Sequence, residues 1–505
     1  MPTVVAEPTL SERVSASLSS RLMWLNRPVV AILAVSAIAG AVRFVNLEYP
    51  QERVFDEYYY SKSGCIFLGY SNDVCDINSS NERYWRRVRN DTGAWVHPPL
   101  GKWMIALGEL AFGTDSFGWR VAAAAAGTAT VMALAVIVQL LFASPIWTFT
   151  GGLLLAVENL HFVQSRTAML DIFVAFWIVL AFVFLLMDRR WIDARDAART
   201  ASANAHVEAT TRTGVAAPLW RPWRFAAGLA LGGGIATKWS ALTAIAAVGV
   251  LSFVWEVSRR RRADVRRPFI GAITTEGFGL VLSLLVLPAF VYVVSYVGWF
   301  AHFGFDLGEW MNLQGAIYTY HRDLRTIDEA TGEPVHAYLS QAWKWILLWR
   351  PVFYYADYSE GVVRQVIYAN GNPAIFWGAI LAIPYTSFAW WQKRDWRAGF
   401  VVLAVAILYV PWFFVPRPQF LFYATPITPF LVLACVYALR DLADVRYRAL
   451  HTAGRADRSV RPYLPVTVAF ALVAVGLFVW FWPVLTGAPV TDEAWTLRAW
   501  FPSWA

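Results

Sequence analysis

Asp56 and Glu57 stand side by side in Val54-Phe55-Asp56-Glu57-Tyr58-Tyr59-Tyr60, about ten residues beyond the first long apolar run. A carboxylate within hydrogen-bond reach of a hydroxyl can take its proton and make it a nucleophile. Two acids alone read more readily as a solvated turn; their place beside a membrane interface, where a lipid-borne headgroup would lie, raises the case for chemistry. His97-Pro98-Pro99-Leu100-Gly101-Lys102 forms a second cluster. It reads either as a proline-capped surface helix with a snorkelling lysine, or as a rigid corner turning an imidazole and an ammonium towards the acids. Single charges beside or inside apolar runs form a third set: Arg120, Glu158, Arg166, Asp171, Lys238 and Arg417. Charge at membrane depth is costly, so these residues either pair internally to fix helix packing or serve a site.

The frame that must position them is a membrane. The chain is 58% hydrophobic and 15% charged, against about 25% charged in soluble domains. About eleven runs are long enough to span: 28–46, 117–141, 146–162, 168–187, 222–237, 239–257, 270–298, 373–391, 398–416, 420–439 and 464–486. No cleavable signal peptide is evident, and the first run reads as a signal anchor. The net charge of +8 comes from Lys and Arg placed mostly between runs, which reads as topology rather than nucleic-acid binding. With a cytoplasmic N-terminal tail (1–27), the basic clusters of 188–222, 258–268, 392–397 and 440–462 all fall inside. The multi-spanning domain then covers 28–486. Two long loops, 47–116 and 299–372, and the tail 487–505 lie outside. Segments 98–113 and 343–355 have interfacial character, the first as an amphipathic helix on the membrane surface. Arg120, Arg166, Lys238 and Arg417 come out on the same side as the acids. Four cations facing one place suggest an anion, with phosphate the natural candidate. Cys65 and Cys75 share the first outer loop and read as a disulfide or as two free thiols; Cys435 lies in an apolar run. No His spacing suits a metal site, and no Walker or dinucleotide-binding glycine pattern is present.

These motifs, taken in order, resemble the protein O-mannosyltransferase family. Phe55-Asp56-Glu57, His97 to Lys102, Gln164-Ser165-Arg166 with Leu170-Asp171, and Lys238-Trp239-Ser240 carry the resemblance in the first half. His336-Ala337-Tyr338-Leu339-Ser340 with Trp345 and Arg350-Pro351, then Arg417 to Tyr423 with Pro426, carry it in the second. The run Tyr58-Tyr59-Tyr60 departs from the family's usual sequence after the acids. The second outer loop, about 75 residues long, is too short for the β-trefoil domain of eukaryotic members, which points to the bacterial, actinobacterial-like branch.

The resemblance implies an all-α integral membrane protein of the GT-C glycosyltransferase type. It implies a polyprenyl-phosphate mannose donor and Ser/Thr acceptors on secreted or membrane proteins emerging from the secretion machinery. It makes Asp56 the base and Glu57 the partner of an arginine, Arg120 by preference. Arg120, Arg166, Asp171, Lys238 and Arg417 are expected at the donor phosphate and sugar, and His97, Lys102, His336 and Arg350 along the acceptor path. Membrane lipids are the remaining partner, and no metal or organic cofactor is expected. Rival readings are a transferase of the same fold acting on a lipid or cell-wall glycan, and a transporter.

Overall fold

Proline opens many of the apolar helices, because its fixed φ suits the first turn and its missing N–H is not needed there. The computed structural model describes residues 27–77, 94–205, 215, 217–358, 363–445, 447–449, 458–460 and 463–504. Except for Arg27, the expected tail 1–27 lies outside the described residues, as do parts of the 188–222 and 440–462 segments.

In chain order the helices are α1 Pro28–Phe44, α2 Glu57–Phe67, α3 Leu100–Phe112, α4 Ser116–Phe142, α5 Pro145–Ala156, α6 Asn159–Gln164, α7 Leu170–Ala205, α8 Pro222–Ile235 and α9 Leu242–Arg262. Then follow α10 Pro268–Ser295, α11 Val297–Phe303, α12 Leu307–Asp323, α13 Pro373–Lys393, α14 Trp396–Tyr409, α15 Thr428–Ala443, α16 Leu464–Thr486 and α17 Asp492–Thr496. Among the described residues seven helices are long and apolar enough to cross a membrane: α4, α7, α9, α10, α13, α14 and α16, with α9 and α14 extended by short 3-10 turns. The helices at the other expected runs, α1, α5, α8 and α15, are shorter. The centre of the bundle is α4 and α7, packed on α1, α5 and α8.

Several expected boundaries shift for local reasons. The 146–162 run breaks at Val157, because the Glu158 carboxylate accepts the N–H groups of Leu160 and His161 and starts the separate helix α6. The 420–439 run opens as a 3-10 turn, Leu421–Ala424, and becomes α-helical only after Pro426. Helix α7 continues to Ala205, through charged residues expected in a loop. That stretch is rich in Ala and Arg and carries the i,i+4 pair Arg189–Asp193, which favours helix.

The chain is not purely helical. Three strands, β1 Val352–Asp357, β2 Val363–Ala369 and β5 Pro489–Thr491, form an antiparallel sheet in the order β1-β2-β5, and β3 Tyr447–Ala449 pairs with β4 Arg458–Val460. Segment 343–355, expected to lie along the interface, becomes a 3-10 turn and then β1. Pro351 and the β-branched and aromatic residues after it favour extended chain. The end of the chain closes over this sheet: Trp504 is buried and its indole donates to the Leu348 carbonyl at 2.6 Å.

Candidate active site

A strained residue places Asp56. Phe55 has φ +49°, a left-handed conformation that bulky residues rarely adopt. Its ring stacks on Tyr354 at 4.6 Å and meets Phe422 edge-on at 5.6 Å, which fixes the loop between β1 and the 421–424 turn. The β1–β2 register slips between Phe353 and Tyr355; such a bulge re-aims a side chain, here Tyr354. The Tyr354 hydroxyl accepts from the Gln164 amide at 2.5 Å. Asp56 follows as the N-cap residue of α2, with its carboxylate 3.5 Å from the Tyr60 hydroxyl.

Glu57, one residue on, is closed off from solvent. Its Oε1 accepts from Arg120 Nε at 2.9 Å and from the Ala168 N–H at 2.8 Å; its Oε2 accepts from Arg120 Nη2 at 2.9 Å and from the Val54 N–H at 3.0 Å. The other donors of Arg120 reach the carbonyls of Leu47, Pro50 and Glu52. Arg120 is therefore committed to Glu57 and the first loop and has no donor left for a phosphate.

Arg166 is placed elsewhere too. Its guanidinium donates to the carbonyls of Arg43, Val45 and Asn46 at 2.8, 2.6 and 2.7 Å, capping the end of α1, where carbonyls lack intrahelical partners. Lys238 and Asp171 meet as a buried pair, Nζ to both carboxylate oxygens at 2.9 Å. Asp171 sits in the first turn of α7, where the helix dipole favours an anion. The Leu100 N–H donates to the Ala236 carbonyl, drawing the start of α3 against the segment that carries Lys238. Gly101 permits this approach: a Cβ there would stand 2.7 and 2.8 Å from Leu170 and Thr237.

A cavity of about 380 Å³ opens beside Asp56. Tyr59, Tyr60, His97, His321, His336, Arg417 and Tyr423 line it with Asp56. Of the expected acceptor-path residues, His97 and His336 therefore reach the cavity. Lys102 does not: it is buried, its ammonium donating to the His97 carbonyl at 2.7 Å, and burial pulls it down to about 7. Arg350 is exposed and away from the cavity. Among the described residues no carboxylate pairs with Arg417; it donates to His321 Nδ1 at 2.9 Å and to the Tyr423 hydroxyl at 3.0 Å.

The electrostatics follow from burial. Asp56 is pushed up to about 6 by desolvation, which Lys238 partly offsets. Burial holds His97 well below the usual imidazole range, with the Lys238 ammonium adding to it. His321 falls to about 4 through burial and the Arg417 charge. Near neutral pH the cavity thus combines an ionised carboxylate, an arginine without a counter-ion among the described residues, and the two neutral imidazoles of His97 and His321. That set can accept a proton at one place and hold an anion at another. Among the described residues no group of three or more His, Cys, Asp or Glu is arranged to hold a metal ion.

Sequence reasoning missed His321 and Arg43. His321 continues the buried stripe Trp310, Leu313, Ile317 at helical spacing, which was the available signal. Arg43, in the last turn of α1, donates to Ser165 Oγ and the carbonyls of Ala39 and Ala156 and lies 3.1 Å from His161 Nδ1. Only its neighbours in space explain it.

Residues 33–303 match the family described as dolichyl-phosphate-mannose-protein mannosyltransferase, and residues 307–504 match the C-terminal four-transmembrane region of protein O-mannosyltransferase. The chain belongs to the protein O-mannosyltransferase family. A polyprenol-phosphate-mannose–protein mannosyltransferase of Mycolicibacterium smegmatis is 31% identical, the match covering 93% of this chain and 92% of that protein. The Corynebacterium glutamicum protein of the same name is 30% identical over 94% and 92%. In structure the chain is similar to the S. cerevisiae protein O-mannosyltransferase Pmt1–Pmt2 complex bound to the sugar donor, with a TM-score of 0.69, 14% identity and coverage of 95% and 92%. ArnT from Cupriavidus metallidurans bound to undecaprenyl phosphate gives 0.53 at 17% identity, over 90% and 76%. At these identities the two structures show the fold alone, the GT-C membrane fold. This protein O-mannosyltransferase therefore has a membrane bundle of a known type, with Asp56 and Arg417 lining one cavity.

Proposed function

We propose that the chain moves mannose from a polyprenyl-phosphate mannose donor to Ser or Thr hydroxyls of secreted or membrane proteins, on the extracytoplasmic face of the cell membrane. The observation that carries this reading is the cavity lined by both the Asp56 carboxylate and Arg417, which among the described residues has no carboxylate partner. The acceptor hydroxyl gives its proton to Asp56 as its oxygen bonds to the sugar C1. The bond from C1 to the phosphate oxygen breaks, and the electron pair leaves on the lipid phosphate. This is one in-line displacement with inversion. Arg417 stabilises the leaving anion, while Lys238 stays paired with Asp171 outside the cavity lining; the step as proposed uses no metal and no organic cofactor. Glu57 holds Arg120 and shapes the first loop, while His97 and His336 line the acceptor side.

The proposal includes eleven crossings, a cytoplasmic N-terminus and outer loops at 47–116 and 299–372. A disulfide between Cys65 and Cys75 supports an outer first loop, since such bonds persist in oxidising compartments. The lipid tail lies between helices, and the acceptors are chains leaving the secretion machinery. The test is to incubate the purified chain with polyprenyl-phosphate mannose and a Thr-rich peptide. A single hexose added to Thr supports the reading; transfer only to a lipid or glycan acceptor overturns it.

A further inference from the structure

His321 lies at the end of α12 and touches the other two loops of the site. Its Nε2 is 2.9 Å from the carbonyl oxygen of Val96. A carbonyl only accepts, so Nε2 carries the hydrogen. Its Nδ1 is 2.9 Å from Nη1 of Arg417. A guanidinium only donates, so Nδ1 is bare and accepts. The two partners fix one tautomer, neutral and protonated at Nε2. The ring also stacks on His97, centroids 5.1 Å apart at 27°.

Arg417 is held from two sides, by His321 Nδ1 and by the Tyr423 hydroxyl, both neutral acceptors. Its Nε is buried and has no acceptor among the described residues. Such a guanidinium keeps its full charge and most of its donors for something else. A carboxylate in place of His321 would orient the same group but would neutralise it. A neutral imidazole orients without neutralising.

We infer that His321 is a positioning residue that aims the Arg417 guanidinium at the phosphate of a lipid-linked sugar donor while leaving its charge uncompensated. This rests on the donor reading of the cavity given above. A role confined to tying α12 to Val96 would use only the Nε2 side of the ring, and the two sides can be separated by substitution. In His321→Asn the amide oxygen stands near the Nδ1 position and keeps the acceptor for Arg417. In His321→Gln the amide nitrogen stands near Nε2 and keeps the donor to Val96, but the Nδ1 acceptor is gone.

The experiment measures kcat and separate KM values for polyprenyl-phosphate mannose and for a Thr-rich peptide, using the full chain in detergent. The expected result is a donor KM about tenfold higher in H321Q, with H321N near the parent and the peptide KM unchanged in both. In an Arg417→Ala background H321Q should add nothing further, because the two residues act as one unit; this comparison holds even if one single variant folds poorly. Impairment of H321N with H321Q near the parent would overturn the inference in favour of the Val96 tie. A raised donor KM in Arg417→Ala with H321Q near the parent would overturn it while leaving the donor reading standing. An unchanged donor KM in Arg417→Ala would remove the donor reading itself.

Discussion

Glu57 and Arg120 lie 63 positions apart and form a two-point ion pair, Nε to Oε1 and Nη2 to Oε2, both at 2.9 Å and both closed off from solvent. The pair separates the roles of the two neighbouring acids. Among the described residues the Glu57 carboxylate accepts four hydrogen bonds, whereas the Asp56 carboxylate has one long contact, to Tyr60, and faces a cavity. Adjacent residues at the start of a helix point to different surroundings, so only one of them is available to a substrate.

Removing Arg120 should therefore act on stability. Arg120→Ala leaves a buried carboxylate without its counter-ion, a loss of about 3–5 kcal/mol. Arg120→Lys should not restore it, because one ammonium cannot reproduce a fork that serves Glu57 and three carbonyls. Thermal unfolding in detergent and the yield of folded protein measure this. A variant as stable as the parent would contradict the assignment.

Arg417→Ala should behave differently. The guanidinium has no carboxylate partner among the described residues, so its loss leaves no buried acid unpaired. The expected outcome is a raised donor KM with a thermal midpoint close to that of the parent. Arg166→Ala, which uncaps α1, should lower the midpoint instead.

The rate should rise with pH through about 6 and level off above it, because the carboxylate accepts a proton only when ionised and burial holds Asp56 at about 6. Stability runs the other way. An acid raised from 3.8 favours folding while protonated, and that contribution is lost as pH climbs through about 6. Asp56→Asn should thus be at least as stable as the parent at pH 7. A thermal midpoint well below the parent's would show that ionised Asp56 supports the fold.

The first loop supplies a test of sidedness. Cys65 and Cys75 are bonded, and Cys435 is buried. Both bonded cysteines are buried, so the probe is a cysteine placed at exposed Asp73 between them: in intact cells Asp73→Cys should be labelled by a membrane-impermeant maleimide. Labelling only after the membrane is opened would place the loop on the inner side.

How much of this was legible beforehand varies with the range of the interaction. The apolar runs predicted helices near their observed places, because length and hydropathy are local properties. The position of Asp56-Glu57, just after the first run, marked the site for the same reason. Of the cations, the Arg120–Glu57 pairing was anticipated through the resemblance; the partners of the other three were not legible. Arg120, Arg166, Lys238 and Arg417 were expected to serve one anion, yet one holds Glu57, one caps α1, one pairs with Asp171 and one lines the cavity. That division depends on contacts between loops far apart in the chain. The sheet was missed because β2 and β5 are separated by the four helices α13 to α16, and β5 is only three residues long.

The most direct test of the account compares Asp56→Asn with the parent in two assays on the same preparation: binding of polyprenyl-phosphate mannose, and single-turnover transfer to a Thr-rich peptide. The account predicts donor affinity near that of the parent and a fall in transfer of about a thousandfold or more. Transfer at close to the parent rate, with donor bound, would contradict it.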